Sequence, residues 1–589
     1  SPGTFGVNTG VPAAQRPAVG GAEYMAAHVA RMKATNPQHV VVGAGDFIGA
    51  TPLISALFYD EPSVETLNQI GLEFNAVGNH EFDKGKDELR RLQNGGCKLD
   101  GEQPAANSCK GYGSSAPGSF DGAKYKWLSA NVVDTATGRT LLPPYGVKTF
   151  KGVRMAFIGM TLKGTPGIVT PAGVAGLQFN DEADTVNRLV PRLRALGIEA
   201  IVVLVHQGGF QGSGNSDING CVADLKNADG SDSEIRKVVA RLDNAVDLVI
   251  SGHTHAAYNC SATTVDNGST PRATGLPNKT GRLVPVTSSS AFGRVLTDID
   301  VRLDPATRDV VAVSPTNRLV DRSDAAATAW VAANPAVANV VAAYKAAVSP
   351  LSNEVIGTIT AGMPNAAAAS GEMPAGDLIA DVQLQATQPA GLGAAVMAFM
   401  NPGGVRSPGI VNPASPATYP YDVSYGNAFT VQPFGNSLVT MTLTAQQLKN
   451  LLEQQFVGCL GQGTQRILQI SNGLSYSWNP NGAACAKVVD LAFTATDLQV
   501  VSPAVIAAPE NIVIAGVVQN PTKTYRVTVN NFLATGGDGF TVLLEGTNVL
   551  GGAQDIDALV AYFAGYKAPL PPYDPAAAVL SKPRITRLP

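Results

Sequence analysis

The sequence is poor in charge, in aromatic side chains and in histidine. Charged residues fill 15% of its 589 positions and aromatics 6%, and histidine occurs only six times. With 42 basic residues against 46 acidic ones, the formal net charge is −4. No basic excess is available to neutralise a phosphate polymer, which argues against a nucleic-acid polymer as the main partner. A small anion can still be captured by a few local arginines. No stretch reaches the ~18 consecutive apolar residues of a membrane-spanning helix, and no internal repeat is visible. None of the six cysteines stands in a C-x-x-C pair, which argues against a zinc knuckle or a dithiol redox motif.

What the cysteines do show is an even count in three sequence-local pairs: Cys97 with Cys109, Cys221 with Cys260, and Cys459 with Cys485. Each pair brackets a loop rich in Gly, Asn or Ser. Of the about 15 connectivities open to six cysteines, nearest-neighbour pairing is the preferred expectation. Disulfides imply an oxidising compartment, so a periplasmic or secreted location is expected. No signal peptide is visible, and the chain opens at Ser1-Pro2-Gly3, as a processed or truncated product would.

A chain of this length exceeds what one core organises, so two domains are expected. In the first half, short apolar runs at 40–45, 74–77, 153–158, 200–205 and 246–250 read as buried strands. Between them, residues 22–34, 64–70, 86–93 and 181–196 read as helices. This alternation predicts a layered α/β domain whose sheets are covered on both faces. An Ala- and Val-rich helical stretch over 323–349 carries no functional residue and reads as a connector, with small side chains that suit close packing or a hinge. It divides the chain into 1–322 and 350–589. Ala366–Ala369 and 571–578 read as loops without chemistry.

Four strands end in polar, Gly-rich turns: Gly45-Asp46, Gly78-Asn79-His80, His206-Gln207-Gly208-Gly209 and Ser251-Gly252-His253-Thr254-His255. Ligands of open α/β sheets gather where strands end, so these turns can converge. Four of the six histidines lie in them; His28 and His39 lie outside and read as ordinary surface or turn residues. Taken singly, an Asp after Gly is a turn residue and a strand-end His a satisfied one. As an ordered set, Asp, Asn and several His suit Zn²⁺, Mn²⁺, Fe²⁺ or Co²⁺. Such a set can hold a pair of ions ~3.5–4 Å apart.

Gly45-Asp46-Phe47-Ile48-Gly49-Ala50-Thr51-Pro52, Gly78-Asn79-His80-Glu81-Phe82-Asp83, the run ending at His206, and Gly252-His253-Thr254-His255 resemble the blocks of calcineurin-like metallophosphoesterases, in the version of the 5′-nucleotidase family. The resemblance implies a layered β-sandwich metallophosphoesterase domain flanked by helices, followed by a second α+β substrate-binding domain. It implies two divalent metal ions, Zn or Mn first, with Co, Fe or Mg as further options. Asp46 would bridge them, Asn79, His206 and His253 would complete one site, and His255 would serve the other. His80, oriented by Asp83, would stabilise charge on the phosphoryl group. Glu81 has no metal role and is expected to make a structural hydrogen bond. The family pattern opens with an Asp-x-His on an initial strand. No Asp-x-His precedes Asp46 here, and with the adjoining blocks intact the expectation is that the sequence starts after that strand.

The second half carries Asn401-Pro402-Gly403-Gly404-Val405-Arg406, a guanidinium after a tight turn that suits phosphate. Gln432-Pro433-Phe434-Gly435-Asn436 and the stretch from Asn531 through Asp538 to Phe540 present two aromatics and a carboxylate. Two such rings can sandwich a base, and the carboxylate can accept from ribose hydroxyls. By resemblance to the C-terminal domain of 5′-nucleotidases, Phe434 and Phe532 stack the base, Asp538 holds the ribose, and Arg406 with Asn401 contacts phosphate. Phe540 reads as core. Several relatives carry a further phosphate-binding arginine where this chain has Ala366 to Ser370, just upstream of Gly371-Glu372-Met373-Pro374.

The expected reaction is hydrolysis of a nucleoside 5′-monophosphate to nucleoside and phosphate. UDP-sugars, nucleoside diphosphates and 2′,3′-cyclic nucleotides are alternatives on the same site, and a few relatives resemble thiosulfate-ester hydrolases. A non-catalytic binding or surface protein on a decayed scaffold is the alternative of another class.

Overall fold

A computed structural model describes residues 3–4, 16–169, 171–211, 217–227, 230–261, 275–414, 416–499, 504–577 and 583–589. Ser1-Pro2 and the end of the 571–578 loop fall outside them. The chain divides into two compact units, Ser1–Ala347 and Val348–Pro589.

In the first unit, β1 (Val42–Gly43), β2 (Phe74–Ala76) and β3 (Lys126–Leu128) form a parallel three-stranded sheet in that order. Six further strands are β4 (Tyr145–Phe150), β5 (Val153–Thr161), β6 (Ala200–His206), β7 (Leu248–Ser251), β8 (Ala257–Cys260) and β9 (Val286–Ser289). They make a second sheet in the order β8-β9-β7-β6-β5-β4. Its centre, β5-β6-β7-β9, is parallel, and its edges β4 and β8 are antiparallel.

The period-two alternation of β6 explains the layering. Ala200, Val202 and Leu204 pack with Phe74, Ala76 and Leu128 of the small sheet, while Ile201, Val203 and Val205 face helices on the opposite side. α1 (Ala22–Thr35), α2 (Glu61–Ile70), α3 (Lys86–Asn94), α4 (Glu182–Ala195) and α5 (Glu234–Val239) cover the outer faces. Helix α4 buries Ala183, Val186, Val190 and Leu193 at helical spacing. Its Asp181 cap accepts a 3.1 Å bond from the Asp184 amide. The result is helix, sheet, sheet, helix: the layered β-sandwich flanked by helices.

The alternation of helices and runs did not reveal the long hairpin β10 (Val295–Asp304) with β11 (Asp309–Leu319). The connector stretch is two helices, α6 (Ala325–Ala333) and α7 (Ala336–Ser352), bent by 79°. Pro335 accounts for the break, because it disfavours helical backbone at Asn334. Buried Tyr344 of α7 packs on Phe58 and Tyr112 and donates to Glu65 Oε2 at 2.9 Å. The division between the units falls within α7. Among the described residues no single helix is long and apolar enough to cross a membrane.

The second unit is α+β. Its strands are β12 (Met397–Met400), β13 (Ser437–Thr444), β14 (Gln469–Ile470), β15 (Leu474–Trp478), β16 (Val488–Phe493), β17 (Glu510–Ile514), β18 (Val517–Val518), β19 (Thr524–Asn530), β20 (Thr547–Gln554) and β21 (Ile585–Arg587). One sheet runs β14-β12-β19-β13-β20 and the other β18-β17-β16-β15-β21. A core including Phe399, Met441, Val527, Val529, Trp478 and Leu491 draws on both. Helix α8 (Pro374–Thr387) backs the first sheet, where Thr387 bonds Thr528 at 2.5 Å. Its first turns are held by a buried pair, Arg584 with both oxygens of Asp381 at 2.8 Å. The three disulfides join the nearest-neighbour cysteines, with Cα–Cα distances of 5.4, 5.0 and 5.0 Å.

Candidate functional site

The turn after β1 brings Asp46 into place through two consecutive left-handed residues, Gly45 at φ +91° and Asp46 at φ +60°. Gly45 is required twice over: a Cβ there would lie 2.6 Å from His206 Nδ1 and 2.7 Å from the Gly78 amide. The turn is tied to the one after β2 by Glu81. Its Oε2 accepts from the amides of Asp46 at 2.8 Å and Gly78 at 2.7 Å, and its Oε1 from Phe47 at 2.9 Å and Trp127 Nε1 at 3.3 Å. The structural hydrogen bond expected of Glu81 is therefore a four-donor clamp. Burial, then the nearby Asp46 charge, pushes its carboxyl up to about 7.

The strand ends converge as the parallel register dictates. Asp46, His206 and His253 place ligand atoms within 4.8 Å of one another, the one such group of three or more His, Cys, Asp or Glu among the described residues. Asn79 joins them, with Oδ1 at 3.1 Å from His206 Nε2 and 3.0 Å from His253 Nδ1. His206 Nδ1 donates to the Ala44 carbonyl at 2.6 Å, so in the neutral ring Nε2 carries the lone pair. That nitrogen faces Asp46 Oδ2 at 2.9 Å as well as Asn79 Oδ1. Three lone-pair donors pointing at one another need a positive charge between them, which a divalent cation supplies. Two imidazoles, a carboxylate and an amide oxygen fit such an ion.

The same demand for positive charge shows in how these groups titrate. Burial disfavours the Asp46 charge, but His206 and His80 overcome it and hold the carboxyl well below its usual range. Burial likewise opposes a proton on His206, and Asp46 outweighs it, so that ring is raised. His253 is lowered to about 4, by burial first and then by His206.

His80 stands beside this group. Its amide donates to Asp46 Oδ1 at 2.9 Å, and its ring Nδ1 meets Asp83 Oδ2 at 2.7 Å. His255 is outside the group. Its ring lies edge-on against Phe292, centroids 5.3 Å apart.

In the second unit, β12 and β19 run parallel and β13 antiparallel to them, with Leu438 opposite Asn530. Asn401 after β12, Phe532 after β19 and Phe434 before β13 therefore share one end of the sheet. Asn401 is buried and donates to Asp538 Oδ2 at 2.8 Å while accepting from Asn530 Nδ2 at 3.1 Å. Arg406 lies over the Phe434 ring, 5.7 Å from its centroid. Phe532 is half-buried, with Gly537 against it. Phe540 is fully buried core. A residue the sequence reading missed, Arg466, meets Asp538 Oδ1 through Nε at 3.2 Å. Burial raises the Asp538 carboxyl, with Arg466 and Asn401 acting against the rise.

Comparison with known proteins agrees with this architecture. Residues 355–545 match the family model "5′-nucleotidase, C-terminal domain". Endonuclease YhcR of Bacillus subtilis is 28% identical over 93% of this chain and 37% of its own length. Cell wall protein Lmo0130 of Listeria monocytogenes is 29% identical over 93% of this chain and 64% of its own. The chain thus spans about a third and about two thirds of these relatives. The crystal structure of a 5′-nucleotidase precursor from Thermus thermophilus superposes with a TM-score of 0.69 at 24% identity, covering 100% of this chain and 96% of that one. That likeness carries the fold. Residues 355–545 thus form a 5′-nucleotidase C-terminal domain, and the whole chain shares the fold of the 5′-nucleotidase precursor it superposes on.

Proposed function

We propose that this chain is a divalent-metal-dependent phosphoric monoester hydrolase that converts nucleoside 5′-monophosphates to nucleoside and phosphate in an extracytoplasmic compartment. In this reading residues 1–322 carry the chemistry, 350–589 recognise the nucleoside, and 323–349 connect them. The observation that carries it is the convergence of Asp46, Asn79, His206 and His253 on one point with the His80–Asp83 pair beside it. Divalent ions bound there supply Lewis-acid polarisation of the phosphoryl group and activation of water.

The chain's own residues do the rest. Asp83 fixes the ring of His80 and favours its charged form, so that His80 offsets negative charge on the phosphoryl oxygens. Glu81 keeps the Asp46 and Asn79 turns at fixed spacing. His255, apart from the first donor group, serves a second ion. Phe434 and Phe532 stack the base, Arg406 with Asn401 serves phosphate, and Asp538 accepts from the ribose.

The test is release of inorganic phosphate from nucleoside mono- and diphosphates, UDP-sugars, 2′,3′-cyclic nucleotides and a simple aryl phosphate, with Mn²⁺, Zn²⁺, Co²⁺ or chelator. Monophosphates should be preferred, chelator should abolish release and added metal should restore it. Turnover unchanged after exhaustive chelation would overturn the metal assignment, and turnover of the aryl ester alone would overturn the nucleotide one.

A further inference from the structure

Two chain segments close on Asp538, and only one of them belongs to the motifs already described. From one side Asn401 takes Oδ2 at 2.8 Å. From the other, residues 455–466 reach back across the sequence. Arg466 Nε sits 3.2 Å from Oδ1, and Gln462 Nε2 donates to the Asp538 carbonyl at 3.0 Å. That segment is itself held firmly. Cys459 is bonded to Cys485, the Gly458 amide donates to Gln462 O at 2.9 Å, the Arg466 amide donates to Gln455 O at 2.9 Å, and Arg466 Nη1 reaches Gln462 Oε1 at 3.3 Å. Asp538 in turn has a left-handed backbone, φ +56°, which the Gln462 bond to its carbonyl braces.

We infer that Arg466 is a positioning residue for nucleoside recognition: it holds Asp538 ionised and aimed, so that the carboxylate accepts from both vicinal hydroxyls of a ribose. This rests on the nucleotidase reading and adds the residue that sets sugar specificity. The Asp538 side chain is 11% exposed and that of Arg466 26%. A carboxyl so enclosed tends towards its neutral acid, which would present an O–H where the sugar needs an acceptor. A guanidinium at Oδ1 counters that tendency. Of the roughly four acceptor positions of a carboxylate, the Asn401 hydrogen bond takes one and the Arg466 ion pair covers the side of Oδ1, which leaves room for two hydroxyls. A neutral amide at position 466 would preserve much of the packing and lose the charge. A lysine would preserve the charge and lose the planar guanidinium that places it 3.2 Å from Oδ1.

The experiment measures, by titration calorimetry on the full chain without added metal, the affinity of each common ribonucleoside and of its 2′,3′-dideoxy counterpart. Wild type, Arg466→Gln, Arg466→Lys and Asp538→Asn are compared, with melting temperatures as a folding check and phosphate release by wild type run in parallel. Wild type should prefer ribonucleosides by about 10- to 100-fold, the scale of hydrogen bonds to a charged group. Arg466→Gln should bring that ratio close to that of Asp538→Asn while leaving dideoxynucleoside binding unchanged, and Arg466→Lys should restore part of it. A wild-type ratio in Arg466→Gln, or equal loss of both ligands in all variants, would overturn the inference and leave Arg466 a loop staple. No sugar preference in wild type would also overturn it; phosphate release from nucleotides by the same protein would then show that the hydrolase reading survives on its own.

Discussion

Replacing Glu81 by glutamine separates the spacing of the proposed metal-binding turns from the identity of their donors. The wild-type carboxylate faces four N–H groups with nothing but acceptors, and glutamine must place an NH₂ against two of them. It can turn that end towards Asp46 and Gly78, at 2.8 and 2.7 Å, or towards Phe47 and Trp127, at 2.9 and 3.3 Å. The second choice sacrifices the longer contacts and is favoured. Two buried N–H groups then lose their acceptor at about 1–3 kcal/mol each, while removal of a buried charge works in the opposite direction. We expect a net loss of roughly 1–3 kcal/mol in fold stability. The turn bearing Asp46 is loosened at Phe47, so metal affinity should fall about 10- to 100-fold, as for other residues that orient metal ligands. Titration of the metal-free protein with Zn²⁺ or Mn²⁺, beside urea unfolding of the same sample, measures both. A destabilised variant with unchanged metal affinity would refute the argument, because Glu81 would then hold the fold and not the spacing of the site.

Two further outcomes are expected. His80→Ala should retain metal and lower kcat by about 10²–10⁴-fold, the range for losing one acid–base or charge-stabilising group; parallel loss of metal in elemental analysis would make His80 a ligand instead. Asp247, buried just before β7 at the end of that strand away from the His253 turn, has its carboxyl pushed from 3.8 up to about 7, by burial first, against the Ile201 amide it accepts. Between these values the unfolded chain has released the proton and the folded one keeps it, so wild-type stability falls as pH rises through that window and stays lower above it. Asp247→Asn can still accept from the Ile201 amide, and it should gain roughly 2–4 kcal/mol relative to wild type on going from pH 4 to pH 8. Equal stability differences at both pH values would show that burial of this charge carries no cost.

The layers of the first unit were legible because period-two apolar runs and helical stretches alternate without ambiguity. All five predicted strand sites hold strands, and all four predicted helices form, shifted by a few residues: the second starts at Glu61, not at Val64. There the N-terminal turn is built by Asp60, in a left-handed conformation and accepting from Gly49 and Ser55, contacts that no local periodicity encodes. The hairpin at 295–319 escaped for another reason. Most of its residues are half-buried or exposed and only Val295, Pro315 and Asn317 are buried, so the apolar pattern is faint although the strands are the longest in the unit. Reading 323–349 as one helical stretch misses the break at Pro335, although its cause is local, since proline restricts the residue before it.

At the site, legibility stops where chain segments meet. The Gly-flanked turns announced polar strand ends, and the register of β6 against β7, Val205 opposite Ser251, carries His206 and His253 to neighbouring positions. The strand pattern contained the elements of that juxtaposition. Nothing local distinguishes His253 from His255, two residues apart, yet one ring turns into the donor group and the other onto Phe292. Both histidines have left-handed backbones, φ +71° and +58°, so the intervening turn and not the side-chain chemistry sends them apart. Arg466 was silent for the same reason on a larger scale. It lies in no motif, and its meaning comes from a segment folding back over a turn that follows 72 residues later, between Arg466 and Asp538. A motif reports the groups that chemistry requires at one place in the chain. The groups that hold those in the right charge state are chosen by whichever segment packs against them, and their position in the sequence is free to vary.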